Sequence, residues 1–304
     1  MDSEVADGSA EFADASDAPE HAAGHASDAR TDLGVGDHLR HAAVIAHQEY
    51  SLGFRNRWTP GLVVLFALFS TMLVLFSGSR VGPARFGPLV ASLGSLATYL
   101  VPLAAFAYGY DVVVGADERG WLDVLISLPI PRSGVVLGKL GGRVAAFSTA
   151  TVVGFGLAAV VVAVGYGSAA AWGVYATFVL AALGLGTAFL GIGALVSTVA
   201  PQKTHALGGG LLAWVWFVLI HDLVALGVVA TLDLGSAVLV GVLLANPADI
   251  FRVLVLRSAG ATGGGFAAAF AETQLSTPVL GVALLAWCLV PAAAAALLIE
   301  RRSV

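Results

Sequence analysis

The chain has 304 residues, of which 58% are hydrophobic and 12% charged, with a formal net charge of -5 and a mean hydropathy of +0.88. Soluble globular domains carry roughly 25% charged residues, so a water-soluble fold is excluded: there is too little polar surface to cover so much apolar side chain. What must be sought instead is a set of apolar runs of about 20 residues, long enough at 1.5 Å per residue to cross a hydrocarbon core about 30 Å thick.

Ten of the 20 acidic residues (Asp2, Glu4, Asp7, Glu11, Asp14, Asp17, Glu20, Asp28, Asp32, Asp37) lie within residues 1–37, beside one base, Arg30. Such a segment buries too little apolar surface to fold, and 1–37 is expected to be a disordered acidic tail. It has neither a basic start nor a short apolar core, so no cleavable signal peptide is expected and the first span serves as its own insertion signal. Two lysines stand against thirteen arginines in a background of Ala, Gly and Val, a halophile-like composition. Cys288 is the single cysteine, which excludes a disulfide within the chain.

Residues 38–57 mix Leu39, Val44, Ile45, Tyr50 and Phe54 with Arg40, His47, Gln48, Glu49, Arg55 and Arg57. This pattern predicts an amphipathic helix on the membrane surface; a plain juxtamembrane linker is the alternative. Pro60 suits the first turn of a span over about 60–77, and the Gly/Pro/Arg stretch 78–88 reads as a short loop. A second span covers about 89–114, after which 115–143, with Asp117, Glu118, Arg119, Asp123, Arg132, Lys139 and Arg143, is too charged to cross. Third and fourth spans follow at about 144–164 and 170–199, and a fifth runs from beyond the break at Pro201 and His205 to about residue 230. The apolar piece 234–245 is too short to span and reads as re-entrant or interfacial. Asn246 and Pro247 then start a helix, Asn as cap and Pro in the first helical position. A Gly-rich loop reaches Glu272, and a sixth span covers about 278–299.

The fold class is therefore all-α: a polytopic membrane protein with about six transmembrane helices over 38–304. An even number of crossings places both termini on one side. The segments on that side hold eleven of the 15 Lys and Arg, against Arg80, Arg85, Arg252 and Arg257 on the other, so both ends are expected in the cytoplasm.

Within the loop after the second span, Trp121, Leu122, Leu125 and Ile126 fall on one helical stripe with Asp123 and Ser127 off it, and Pro129 and Pro131 stop the helix. Asp117 and Glu118 stand at its start, where the helix dipole favours acids. Such a helix either anchors passively at the membrane surface or lays its apolar face into a groove of a soluble partner. The stretch from Gly134 to Lys139 is not a phosphate loop, since three residues separate its glycines where four are needed, and Leu140 follows the lysine. Any ATP chemistry, with its Mg, belongs to another polypeptide.

Intramembrane ionisable residues are costly and are functional candidates by default. Asp111 is expected at the wet end of its helix, and His221 and Asp222 deeper. Gly184 with Gly191, and Gly186 with Gly193, lie two turns apart and read as helix packing, as do Gly208, Gly209 and Gly210. Cu(I) prefers thiolate and thioether ligands, yet the chain holds only Cys288, Met1 and Met72. The histidines His21, His25, His38, His41 and His47 sit in the tail and the following helix, where solvated surface side chains are the usual finding. No metal site, no catalytic residue and no nucleic-acid partner is expected.

Phe54-Arg55-Asn56-Arg57-Trp58, the run from Ser92-Leu93-Gly94-Ser95-Leu96-Ala97-Thr98, the run from Tyr110-Asp111 to Arg119-Gly120, Pro131-Arg132 with Gly138-Lys139, and Asn246-Pro247-Ala248-Asp249 stand out as motifs. Together they resemble NosY-type permeases, the membrane subunits of type-2 ABC transporters associated with copper-site maturation of nitrous-oxide reductase. The resemblance covers roughly 40–304. It implies that 38–57 is an elbow helix and that Asp117, Glu118, Gly120, Trp121, Leu122, Leu125, Pro129 and Arg132 form the coupling helix in a cleft of a separate ATPase, with Gly138 and Lys139 in the loop after it. It further implies that Asn246, Pro247, Asp249 and Arg252 face an extracytoplasmic partner, that the permease is a homodimer in the plasma membrane, and that a copper-maturation protein is a partner. Gly120-Trp121-Leu122 stands where the family pattern usually has Gly-Thr-Leu. A generic type-2 exporter of lipid, drug or polysaccharide, a membrane enzyme and a non-transporting scaffold are the competing readings.

Overall fold

A computed structural model describes residues 35–76, 83–117, 132–167, 171–231, 235–261 and 275–301. Among these every regular element is a helix. Six helices are long and apolar enough to cross a membrane, and a bent pair adds a seventh apolar unit.

Helix α1 (Val35–Arg55) begins before the expected tail boundary. Its inward face carries Ala42, Ile45, Ala46, Glu49, Tyr50 and Gly53, while Val44, His47, Gln48, Phe54 and Arg55 face outward. The apolar side chains thus divide between two faces. What joins α1 to the body is close backbone approach, not one greasy stripe.

Helices α2 (Trp58–Phe76) and α3 (Pro83–Gly109) are the first two spans. α3 starts inside the expected loop and ends before residue 114. There the backbone turns at Tyr110, and the N–H groups of Val113 and Val114 donate to Ser197 Oγ, both at 3.1 Å. A one-turn α4 (Val114–Asp117) follows. Helix α5 (Arg132–Tyr166) starts a dozen residues earlier than its apolar run, because Arg132, Lys139 and Arg143 are carried on its first turns. Gly138 and Lys139, expected in a loop, are therefore helical.

The fourth span, α6 (Trp172–Val199), is the central post. Its small residues part to two sides: a Cβ on Gly184 or Gly191 would meet Leu284 or Pro291, whereas one on Gly186 or Gly193 would meet Phe147 or Phe106. Phe66, Phe147, Phe155, Phe178 and Phe189 fill the space around it, all fully buried. Lys203–Val215 (α7), a π-helical turn Trp216–Ile220 and His221–Thr231 (α8) form the fifth span. Only 11% of its most apolar stretch is buried within the chain, against 61% for the second and fourth spans, so its apolar surface is left for lipid or another chain.

Helices α9 (Ser236–Leu244) and α10 (Pro247–Ala259) meet at 104°, as expected for a re-entrant element. Asn246 caps α10, its side chain accepting from Ala248 N at 2.9 Å, and Gly260 ends it at φ 57°, a left-handed conformation that glycine adopts freely. α10 runs antiparallel to α3: Gly87 lies against Ala259, Gly94 against Val255 and Tyr99 under Arg252. The bend at Asn246 consequently sits about 20 Å of helix away from Ala259, deep in the span bundle. Trp287 Nε1 donates to Leu244 O at 2.9 Å and fixes that tip to the last span, α11 (Thr277–Arg301). α11 runs parallel to α6, so Arg301 shares a face with Val199, Lys203, Arg132 and the α1–α2 junction. This is the terminal face.

Candidate functional site

Two polar clusters occur where apolar helices would otherwise meet. At the terminal face Arg143, the most buried cation of the described chain, reaches three elements at once. Its Nε donates to Glu49 Oε1 on α1 at 2.8 Å, and its Nη1 donates to Asp111 Oδ1 at 2.7 Å and to Tyr108 O at 2.6 Å. The guanidinium also lies over the Tyr108 ring, 5.6 Å from its centroid. A planar fork with fixed donors suits this task better than a point charge. Beside it is a polar hollow of about 210 Å³, walled by Asn56, Trp58, Tyr110 and Lys139 among others. Asp111, a candidate from the sequence, is thus the far anchor of a tie that binds the end of the second span to α1 and α5. Arg132 is the first residue of α5 and Asp117 the last of α4. They bracket residues 118–131, so Glu118, Gly120, Trp121, Leu122, Leu125 and Pro129 lie outside the described residues.

The second cluster lies at the re-entrant bend. Asn246 Nδ2 reaches Phe217 O at 2.8 Å, His221 Nδ1 at 3.0 Å and Asp249 Oδ2 at 3.0 Å. Arg252 Nη1 donates to Asp222 Oδ2 at 2.6 Å and, at 3.4 Å, to Asp249 Oδ1, while Nη2 reaches Val218 O at 3.5 Å. The π turn is what brings these carbonyls toward the bent pair. Of the four residues expected to face an external partner, Asn246, Pro247 and Asp249 are buried within the chain and Arg252 edges on open space. It shares with Tyr99, Ser95, Asp222 and Leu226 the wall of a cavity of about 510 Å³ between the second span, the fifth span and α10.

Sequence reasoning picked out Asp111, His221 and Asp222 but missed the groups tied to Asp111, namely Arg143, Glu49 and Tyr108. No signal along the chain pairs residues 94 positions apart; the only hint was that Arg143 is a charge at the mouth of an apolar run. Among the described residues no group of three or more His, Cys, Asp or Glu is placed to hold a metal ion.

The amino-acid sequence has known relatives. The family model for ABC-2 family transporter proteins matches residues 43–304. A protein of Pseudomonas aeruginosa described as a probable ABC transporter permease protein NosY is 34% identical over 269 residues, 86% of this chain and 98% of the relative. A protein of Stutzerimonas stutzeri with the same description is 33% identical over 253 residues, 80% of this chain and 92% of the relative. The chain is a membrane protein that belongs to the ABC-2 transporter family, as a permease subunit similar to those two relatives.

Proposed function

We propose that this permease couples ATP hydrolysis by a separate cytoplasmic ATPase to the maturation of an extracytoplasmic copper enzyme of the nitrous-oxide reductase type. Two copies form the membrane unit in the plasma membrane, with both termini in the cytoplasm, and ATP with its Mg is held by the ATPase, not by this chain. The observation that carries the reading is the three-way tie of Arg143: with the turn before α4 held to α1, α5 and, through Ser197, α6, a push on residues 118–131 reaches packed helices. The open face of the fifth span supports the pairing of two copies.

Replacing Trp121 and Leu125 together by Asp puts two charges on the stripe that would enter the ATPase groove. The pair should abolish co-purification of the ATPase with the tagged permease while leaving the permease itself monodisperse; undiminished co-purification would favour a scaffold or a passive surface helix.

Copper itself is not the species conducted. A stepwise path for Cu(I) needs thiolate or thioether ligands, and Cys288 has its Sγ directed at Gly184 O at 3.3 Å between α6 and α11. The shortage of soft ligands favours a sulfur-containing or other non-metal cargo, or force alone. Vesicles holding the complete complex should show no ATP-dependent uptake of labelled copper, and uptake in proportion to ATP hydrolysed would overturn this assignment.

A further inference from the structure

Hydrogen-bond stoichiometry at the re-entrant bend calls for a proton between His221 and Asp249. Asn246 Oδ1 is committed to the Ala248 backbone N–H, which sets the orientation of the amide and leaves two protons on Nδ2. Three atoms stand within reach of those two protons: Phe217 O, His221 Nδ1 and Asp249 Oδ2. The last two are themselves 3.1 Å apart. Were Nδ1 bare, its lone pair would face a buried carboxylate and one of the three acceptors would go without a donor, and buried polar atoms are rarely left so. With a proton between Nδ1 and Asp249 Oδ2 every atom is matched: that proton joins the pair, and Asn246 serves Phe217 O and Asp249. The remaining ring nitrogen, Nε2, has no hydrogen-bond partner among the described residues and is not sealed in the core, the side chain being 12% exposed.

We propose that His221 is a protonation site within the membrane domain, its Nδ1–H held by Asp249 and its Nε2 the atom that takes up and releases a proton. The charged groups facing it are Asp249 and Arg252 from α10 and Asp222 from its own helix; Tyr99 of the second span lies under Arg252, its ring centroid 5.9 Å from the guanidinium carbon. With a neutral imidazole these groups carry one net negative charge, and with an imidazolium they carry none. Asp222 and Arg252 also wall the 510 Å³ cavity, so a proton at Nε2 cancels the net charge of the cluster directly behind that wall. The carboxylate on Nδ1 fixes the orientation of the ring. The inference does not depend on the cargo or on the ATPase.

The test is nitrogen NMR of the full chain, labelled at histidine, in lipid nanodiscs. The His221 ring is the signal lost in His221→Gln, or the one retained when His21, His25, His38, His41, His47 and His205 are all replaced by Gln. At high pH it should show a protonated Nδ1 and a bare Nε2, the minor tautomer of free imidazole, and should gain one proton as pH falls. In Asp249→Asn the neutral proton should move to Nε2. A neutral wild-type His221 that carries its proton on Nε2 would put the shared proton on Asp249 and overturn the proposal, as would a ring that does not titrate while the chain stays folded. The wild-type tautomer decides the matter even if Asp249→Asn fails to fold.

Discussion

Arg143→Ala should destabilise the folded chain by about 3–5 kcal/mol, the cost of stranding buried charge when one partner is removed, read as a lower midpoint of thermal unfolding in detergent. Glu49, on α1, and Asp111, in the turn after α3, keep side chains that are 15% and 25% exposed. Without the guanidinium, two carboxylates face one poorly hydrated space, and Tyr108 O loses its donor. Arg143→Lys should recover only part of the loss, since an ammonium cannot hold the fork geometry toward Glu49 and Asp111 together. The triple replacement Glu49→Gln, Asp111→Asn, Arg143→Gln should cost less than Arg143→Ala alone, because it removes the charges along with the tie. An Arg143→Ala chain with an unchanged midpoint would mean that solvent already screens these groups.

Element type was legible in the sequence wherever local composition decides it. The spans α2, α6 and α11 fall within a few residues of their apolar runs, and the Asn246–Pro247 start of α10 is written in two adjacent residues whose chemistry is local. The starts of α3 and α5 were not legible, because Arg85 and Arg132 look like loop residues until the helix that carries them is seen to extend beyond the apolar slab. α1 was legible as a helix but not as a packed one. Hydrophobic patterning finds faces covered by large side chains, whereas α1 meets α5 through Ala42, Ala46, Gly138 and Gly142, residues that carry almost no hydrophobic signal. The site residues divide likewise: Asp111, His221 and Asp222 stand out as charges in apolar surroundings, but the partners that neutralise them come from other helices and follow only from the tertiary fold. Asn246 was read as a cap, which it is; that its other end joins Phe217, His221 and Asp249 needed the bend of α9 on α10 and the π turn opposite.

The small-residue seam makes a prediction that separates packing from helix propensity. A Cβ on Gly142 would stand 2.4 Å from Ala46 O and 2.7 Å from Glu49 Cβ. The first obstacle is backbone and cannot rotate aside. Gly142→Leu should therefore destabilise by about 3 kcal/mol, at the upper end of overpacking costs, and Gly142→Ala by about 1 kcal/mol net, the clash exceeding the gain of up to about 1 kcal/mol that alanine brings to a helix interior. At Gly208, in α7, a Cβ meets nothing within 4 Å. Only the propensity gain remains there, so Gly208→Ala should leave stability unchanged or raise it by up to about 1 kcal/mol. Thermal unfolding of the three variants in one detergent measures the contrast. Because Gly142 adjoins Arg143, forcing α1 outward also lengthens the Glu49 contact, and the Gly142→Leu penalty should shrink when Arg143 is already alanine; strict additivity would mean that the ion pair and the seam are mechanically independent.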